Sequence, residues 1–501
     1  RKGNYLYVDK TDMVWAIANQ RKYNYLSRPR RFGKSLLAST LKCYFEGKKE
    51  LFEGLKIMSL ENDWIKRPVI YLSMSLGGSD AQSLKEYLNE RLSYYEKIYG
   101  KNPAEQSLGN RFNGIIERAY EQAGTQIAVI VDEYDVPLQH TYETEHHDEC
   151  RTIYRDFFTG LKDYGYCIKC VFITGITKFT QISLFSTLNT LVNISFEDSL
   201  AAVCGITNQE LLFYFQKEIA MLSEKCKLSE ADTIYEMKSL YDGYHFAAQS
   251  PDIFNPYSLL NAMAKSKLDY YWFTSGTPTY LIEMLKKFQV MPSEIGSCEA
   301  DKSDFDAPTE MMVSIMPLLY QSGYITIKGY DPETELFTLD IPNKEIRVGL
   351  YRSLLPNYIG MTTPKGTTTI AKMSALIRRN DMNGTMQMLQ AFLATVPYCN
   401  NADSEGHYQQ MMYVIFSILD NYVDVEVRTP SGRVDMVLRT ATHLYLFELK
   451  LNKDAAAAMK QIDLKKYPKR FALCGLPIVK VGINFDVATH NITDWKIEDV
   501  M

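Results

Sequence analysis

Apolar positions along the chain fall into uninterrupted runs in the first third and into alternating ones near the end. Tyr23-Asn24-Tyr25-Leu26 is a short apolar run, followed by a basic turn and by Leu36-Leu37-Ala38-Ser39-Thr40-Leu41, which reads as a helix. Val69-Ile70-Tyr71-Leu72-Ser73-Met74, Ile127-Ala128-Val129-Ile130-Val131 and 169–173 are continuous, the pattern of strands buried on both faces of a parallel sheet. Helical spacing occupies 80–98 and 109–123. Strands alternating with helices predict an α/β fold, a parallel sheet with helices on both faces.

From 206 to 360 the pattern is mostly helical. An amphipathic stretch, 229–241, stops at Asp242-Gly243, and a new helix starts at Asn255-Pro256, with Asn as cap and Pro at the first position. Tyr271-Trp272-Phe273 reads as core. A helix over 310–321 precedes a hairpin: Tyr324-Ile325-Thr326-Ile327, a turn at Asp331-Pro332-Glu333-Thr334, then Leu336-Phe337-Thr338-Leu339. Asn343 is placed to cap a further helix, to 355. Helix plus polar-tipped hairpin is the outline of a winged-helix lid, which can bind DNA or pack on its neighbour. Residues 361–369 read as a linker ahead of two short helices. Three strands then follow at 422–428, 433–439 and 443–451, the first two joined by Thr429-Pro430-Ser431-Gly432. The expected domains are 1–205, 206–360, linker helices at 361–397, and 398–501.

Composition narrows the classes. The 501 residues are 46% hydrophobic and 23% charged, ordinary for globular protein and too many for one core. No apolar run of about 18 residues occurs, so no membrane span is expected, and the opening Arg1-Lys2-Gly3-Asn4 is not of signal-peptide type. Cys167 and Cys170 form the one C-x-x-C among nine cysteines, without a second pair to complete a zinc site. They read as strand cysteines of a cytoplasmic protein. His146-His147-Asp148-Glu149 fits no ligand spacing and reads as a solvated loop. A net charge of −5 argues against constitutive coating of nucleic acid; any such contact must be local.

Two patterns carry chemistry. Ser27-Arg28-Pro29-Arg30-Arg31-Phe32-Gly33-Lys34-Ser35 lies between strand and helix, the setting of a phosphate-binding loop. Arg30, Arg31, Phe32, Gly33, Lys34, Ser35 and Leu36 are the expected nucleotide-contacting set. Lys34, expected to face solvent, would reach the β- and γ-phosphates, and the Ser35 hydroxyl would hold Mg²⁺. Arg28 stands where the usual pattern has glycine, so the loop must turn another way, with Pro29 a candidate. The second pattern is Asp132-Glu133 at the end of an apolar strand, where Asp132 would coordinate Mg²⁺ and Glu133 would polarise the attacking water.

With Tyr7-Val8-Asp9-Lys10-Thr11, Val131-Asp132-Glu133-Tyr134-Asp135 and Phe172-Ile173-Thr174-Gly175, the chain resembles the AAA-ATPase-like proteins that carry a C-terminal PD-(D/E)xK nuclease domain. The resemblance makes Arg28 a family trait and Thr174 the γ-phosphate sensor. It covers 183–191 as a further characteristic block. It also implies a strand between the phosphate loop and the acidic strand, in the branch of ATPases that uses a catalytic Glu.

Near the C-terminus, strand period two puts Glu448 and Lys450 on one face, with Asp435 on the preceding strand. Asp…Glu-x-Lys on adjacent strands is the PD-(D/E)xK constellation. Asp435 and Glu448 would bind a divalent metal, and Lys450 would orient or deprotonate the water. The resemblance adds Glu405 as the upstream helical acid and Gln461 as the glutamine of the following helix, whose face Lys465, Lys466, Lys469 and Arg470 would make basic. The expectation is an ATPase with ATP and Mg²⁺ as cofactors, coupled to a metal-dependent nuclease. Its partner would be nucleic acid, DNA the expected class, with a homo-oligomer open and no membrane contact. The alternative is a nucleotide-dependent switch or scaffold whose nuclease fold binds without cutting.

Overall fold

The computed structural model describes residues 3, 5–178, 191–275, 279–308, 312–359, 364–394, 405–419, 422–429 and 432–500. Its contacts divide into two units, residues 1–271 with 299–342, and 272–298 with 343–501.

The first unit is organised by a five-stranded parallel sheet of β1 (Tyr23–Ser27), β2 (Val69–Ser73), β3 (Ile127–Asp132), β4 (Ile168–Gly175) and β5 (Val192–Asn193), in the order β2-β3-β4-β1-β5. Every residue of β3 is buried, as its unbroken apolar run requires. Helices Ala81–Tyr99 and Leu108–Ala123 pack onto it through Leu84, Leu88, Phe112 and Ile116. Asp80 and Ser107 cap them by accepting from the Ser83 and Asn110 amides. Because all five strands run the same way, their C-terminal ends share one edge. Ser27 pairs with Gly175, and Ser73 with Asp132. The phosphate-loop strand and the acidic strand therefore end together although β4 lies between them. Helix α1 (Lys34–Phe45) leaves that edge.

Beyond the sheet, α2 (Asn208–Tyr214) and helices Gln216–Cys226, Glu230–Tyr241 and Pro256–Lys265 build a separate core around Leu211, Leu222, Met237 and Leu259. Next come helix Met316–Ser322 and the hairpin of β6 (Thr326–Asp331) and β7 (Leu336–Asp340). The helix expected over 310–321 thus starts at Met316, with Pro317 in its first turn; residues 309–311 are outside the described ones. The hairpin tip carries exposed Asp331, Glu333 and Glu335, a charge that repels phosphate, while Lys328 donates to the Gly243 and Pro342 carbonyls. Lys328 thus ties the wing to the chain beside it.

The second unit holds a sheet in the order β8 (Tyr422–Thr429), β9 (Gly432–Arg439), β10 (Leu444–Leu451), β11 (Ile478–Asp486), β12 (Asn491–Asp499), antiparallel except for β10 with β11. Helices α3 (Lys344–Ile359) and α4 (Glu405–Ile418) pack together, their Tyr351 and Tyr413 hydroxyls 3.0 Å apart. Asn343 caps α3 by accepting from the Ile346 amide. Helix α5 (Ala455–Leu464) lies so close on β11 that a Cβ on Gly482 would meet the Ala455 carbonyl at 2.8 Å. Of the expected linker, 364–378 is helical and 360–363 lie outside the described residues. No helix among the described residues is long and apolar enough to cross a membrane.

Candidate active sites

The phosphate loop is built without its usual first glycine. Arg28 is buried, its guanidinium donating to the Ser27, Ser195, Leu200 and Ala201 carbonyls and lying 4.3 Å from the Phe246 ring centre. The turn comes from Arg31, at φ 70°, and from Gly33, at φ 94°, where helix α1 begins; Pro29 does not supply it. Only glycine holds such a φ without strain. Arg31 donates to the Tyr271 carbonyl and stacks on Tyr257, and Phe32 packs edge-on against Tyr244 and Phe246. Gly323 abuts Pro29 closely enough that a Cβ there would meet it at 2.7 Å. The loop is thus braced from behind by the segment after the lid helices.

Lys34 corrects an expectation. It is buried, and its ammonium donates to the loop carbonyls of Arg28 and Pro29 at 2.9 and 3.0 Å. Burial pulls its pKa down from the ordinary lysine range, opposed by the nearby carboxylates of Asp135, Asp132 and Glu133. Ser35 and Leu36 are exposed on the first turn of α1, and Arg30 is also exposed, 3.5 Å from Gln139 Oε1.

Across the edge, Asp132 is buried; its Oδ2 accepts from the Tyr71 hydroxyl and its Oδ1 has no hydrogen-bond partner. Glu133 takes a left-handed backbone, φ 53°, uncommon for a non-glycine residue and costing about 1–3 kcal/mol. Its carboxyl is half-buried and pushed above the usual range, first by burial and then by repulsion from Asp132, with Lys34 opposing. Thr174 is buried, and its hydroxyl donates to the Leu26 carbonyl, stitching β4 to β1 inside the sheet.

Asp135, the last residue of the Val131–Asp135 motif, has no role that the sequence assigns. It is fully buried, and its Oδ2 accepts from the Ile176 and Thr177 amides, the Thr177 hydroxyl and Gln139. It locks the turn after β3 to the exit of β4; its burial shows only in three dimensions. The block at 183–191 lies outside the described residues up to 190. His147 opens helix His147–Phe158 and is half-buried, so the loop expected around it ends sooner. Cys167 and Cys170 are buried thiols on and beside β4.

In the second unit, β9 and β10 pair Met436 with Phe447, which leads Asp435 to Glu448. Asp435 Oδ2 accepts from the Leu449 amide at 2.7 Å. Lys450 donates to Glu448 Oε1 and to the Leu449 carbonyl, both at 2.8 Å, with Glu448 fully buried and Lys450 nearly so. Helix α4 braces this corner through Gln409, which donates to the Asp435 carbonyl at 2.7 Å. Glu405 opens α4, one turn before Gln409; its side chain lies outside the described residues. Gln461 reaches the Tyr467 hydroxyl at 3.5 Å. Tyr467 is buried, its phenol raised by burial and by Glu448 and Asp435 nearby. It too went unnoticed in sequence, its only signal being an apolar residue among lysines. The basic residues fall elsewhere than expected. Lys465, Lys466, Lys469 and Arg470 lie beyond the end of α5, exposed around a short 3₁₀ turn. Among the described residues no three His, Cys, Asp or Glu side chains cluster as metal ligands.

Residues 1–185 match the family described as predicted AAA-ATPase, and 403–495 match the PD-(D/E)XK nuclease superfamily. An uncharacterized protein in the vnfD 5′ region of Azotobacter chroococcum mcd 1 is 31% identical over 517 residues, which span 100% of this chain and 97% of that one. The ORC2 protein of Aeropyrum pernix, solved as ADPNP–ADP complexes, aligns at 11% identity and a TM-score of 0.30, over 71% of this chain and 96% of that one.

Proposed function

The chain belongs to the AAA-ATPase-like family with a C-terminal PD-(D/E)XK domain, and from that premise we propose that it hydrolyses ATP and cuts nucleic acid. The observation that carries the second half is the convergence of Asp435, Glu448 and Lys450 on one corner of the C-terminal sheet. Asp435 is tied to the Leu449 amide between Glu448 and Lys450, and a buried carboxylate paired with a buried ammonium is weak as a device for stability alone.

Both sites suit a hard divalent cation. Asp132 carries an orphaned, buried carboxylate oxygen, and Asp435 with Glu448 forms an all-oxygen, anionic donor pair. Asp132 with Ser35 would hold Mg²⁺ in the ATPase, Asp435 with Glu448 in the nuclease. Such an ion, when bound, neutralises phosphate charge and makes water a better nucleophile. Of the chain's own groups, Lys34 would turn from its loop carbonyls to the β- and γ-phosphates. Glu133, its carboxyl tuned upward, takes the proton of the attacking water. Thr174 supports the strand beneath as the candidate sensor. Lys450 orients the water for phosphodiester attack, with Gln461 and Glu405 as supporting residues and the exposed lysines after α5 as backbone contacts.

The test is nicking of supercoiled plasmid, and cleavage of single-stranded DNA and RNA, with Mg²⁺ or Mn²⁺ and with or without ATP. Wild-type protein should cleave and Glu448→Ala should not. Equal, background-level products from both on every substrate would leave the nuclease fold a binding scaffold.

A further inference from the structure

Tyr7-Val8-Asp9-Lys10-Thr11 has no part in the chemistry above, yet it lies against the phosphate loop. A cleft of about 180 Å³ opens beside Gly33, lined by Tyr7, Val8 and Lys10 from this motif and by Leu36, Cys204 and Leu260. That is the volume of about six waters, enough for a flat base but not for a whole nucleotide. Among the described residues lining it, Lys10 alone carries a charge. Its segment is pinned: Asp9 accepts from the Thr11 amide and hydroxyl through one carboxylate oxygen and from the Lys56 amide through the other.

The Lys10 ammonium is held at 2.6 Å by both oxygens of Glu210, a residue in the first turn of α2. Glu210 Oε2 also accepts the amide and hydroxyl of Thr207, closing a capping box. Glu210 is thus held in place by its own helix terminus, and it holds Lys10 in turn. An ammonium has three N–H bonds, so one remains beyond the pair.

We propose that Lys10 is the base-reading residue of the nucleotide site, donating its remaining N–H to a ring nitrogen of adenine; this rests on the ATP-binding reading above. At N1, where adenine accepts, guanine carries N1–H beside its N2–H₂, and the Lys10 ammonium, itself only a donor, cannot accept them. Buried donors without partners are what make a site reject an analogue. The same ion pair ties the base to α2 and so to the lid.

The experiment is competition against a labelled ATP analogue on the full chain with Mg²⁺, using ATP, GTP and inorganic tripolyphosphate. Lys10→Met combined with Glu210→Leu removes the pair without stranding a buried charge. It should weaken ATP about tenfold, narrow the ATP-over-GTP preference and leave tripolyphosphate unchanged. If that variant does not fold, Lys10→Arg, which keeps the ion pair but moves the donor, should narrow the preference alone. An unaltered preference in a folded variant, or equal weakening of ATP and tripolyphosphate, overturns the proposal. Lys34→Ala should lose both ligands; wild-type protein that binds neither overturns the nucleotide reading itself.

Discussion

The two sites assemble their charges in opposite ways. In the N-terminal unit the cation opens helix α1 while the carboxylates stand at the end of β3, and Lys34 is folded back on the carbonyls of its own loop. In the C-terminal unit Lys450 and Glu448 stand two residues apart on one strand and are already ion-paired. The first site holds its parts apart with backbone: a parallel sheet sets the edge, and the Arg28 and Asp135 networks fix the loops on it. The second neutralises itself locally, so its geometry needs only the pairing of β9 with β10 and a brace from Gln409. A site of the first kind waits for a polyanion to draw its lysine out. One of the second kind must exchange a resident ammonium contact when a metal arrives.

Substitutions can break this contrast, and the largest effect belongs to the separated site. Glu133→Gln should keep ATP binding while turnover falls by about 10²–10⁴, because an amide cannot take the proton. Steady-state phosphate release measures it; a fall of less than about threefold would remove Glu133 as base. Glu448→Ala should lower metal-dependent cleavage by about 10³ and leave the ATPase untouched, which plasmid nicking and phosphate release check side by side. Lys450→Ala should slow cleavage yet retain Mn²⁺ binding by calorimetry, since it releases Glu448 from its ion pair. Gln409→Ala removes only a brace and should cost about 10–100-fold in cleavage or metal affinity.

Smaller effects sharpen the comparison. As the proposed base, Glu133 works as the carboxylate, and its pKa is raised. ATPase kcat should therefore fall on acidification through that raised value, at higher pH than for an ordinary Glu near ~4.3. A pH–rate profile without that shift would mean the carboxyl is better solvated than its burial implies. Lys34→Ala should abolish nucleotide binding and also lower Tm slightly, because the side chain ties two loop carbonyls together. A Tm identical to wild type would show those bonds to contribute nothing.

Much of this architecture was legible in one dimension. The unbroken run 127–131 announced a strand buried on both faces, and the alternation of Leu446, Glu448 and Lys450 with apolar neighbours announced a one-sided polar strand end. Glu448 and Lys450 were placed on one face by period, because a strand side chain's face depends only on parity, and Asp435 was joined to them as the Asp of the PD-(D/E)xK constellation. Arg28 stood out as the residue in glycine's place, but its role as a buried prop comes from carbonyls at 195, 200 and 201, which no local pattern relates to position 28. Tyr467 and Asp135 were missed for the same reason, their partners being supplied by other elements.

By itself, then, the sequence determined the continuous strands 23–26, 69–74 and 127–131, the phosphate loop with its acidic pair, and which family the chain resembles, since all of these follow from local periodicity and residue chemistry; β11, β12 and the helix from His147 it did not announce. Only the tertiary structure decided that β4 separates the two halves of the sheet edge, that Lys34 is buried, that Lys328 ties the wing to the Gly243 and Pro342 carbonyls, and that Lys10 is held by Glu210 beside an apolar cleft. Those outcomes depend on which surfaces meet, and contacts between residues two hundred positions apart are set by burial of the whole chain rather than by any segment of it.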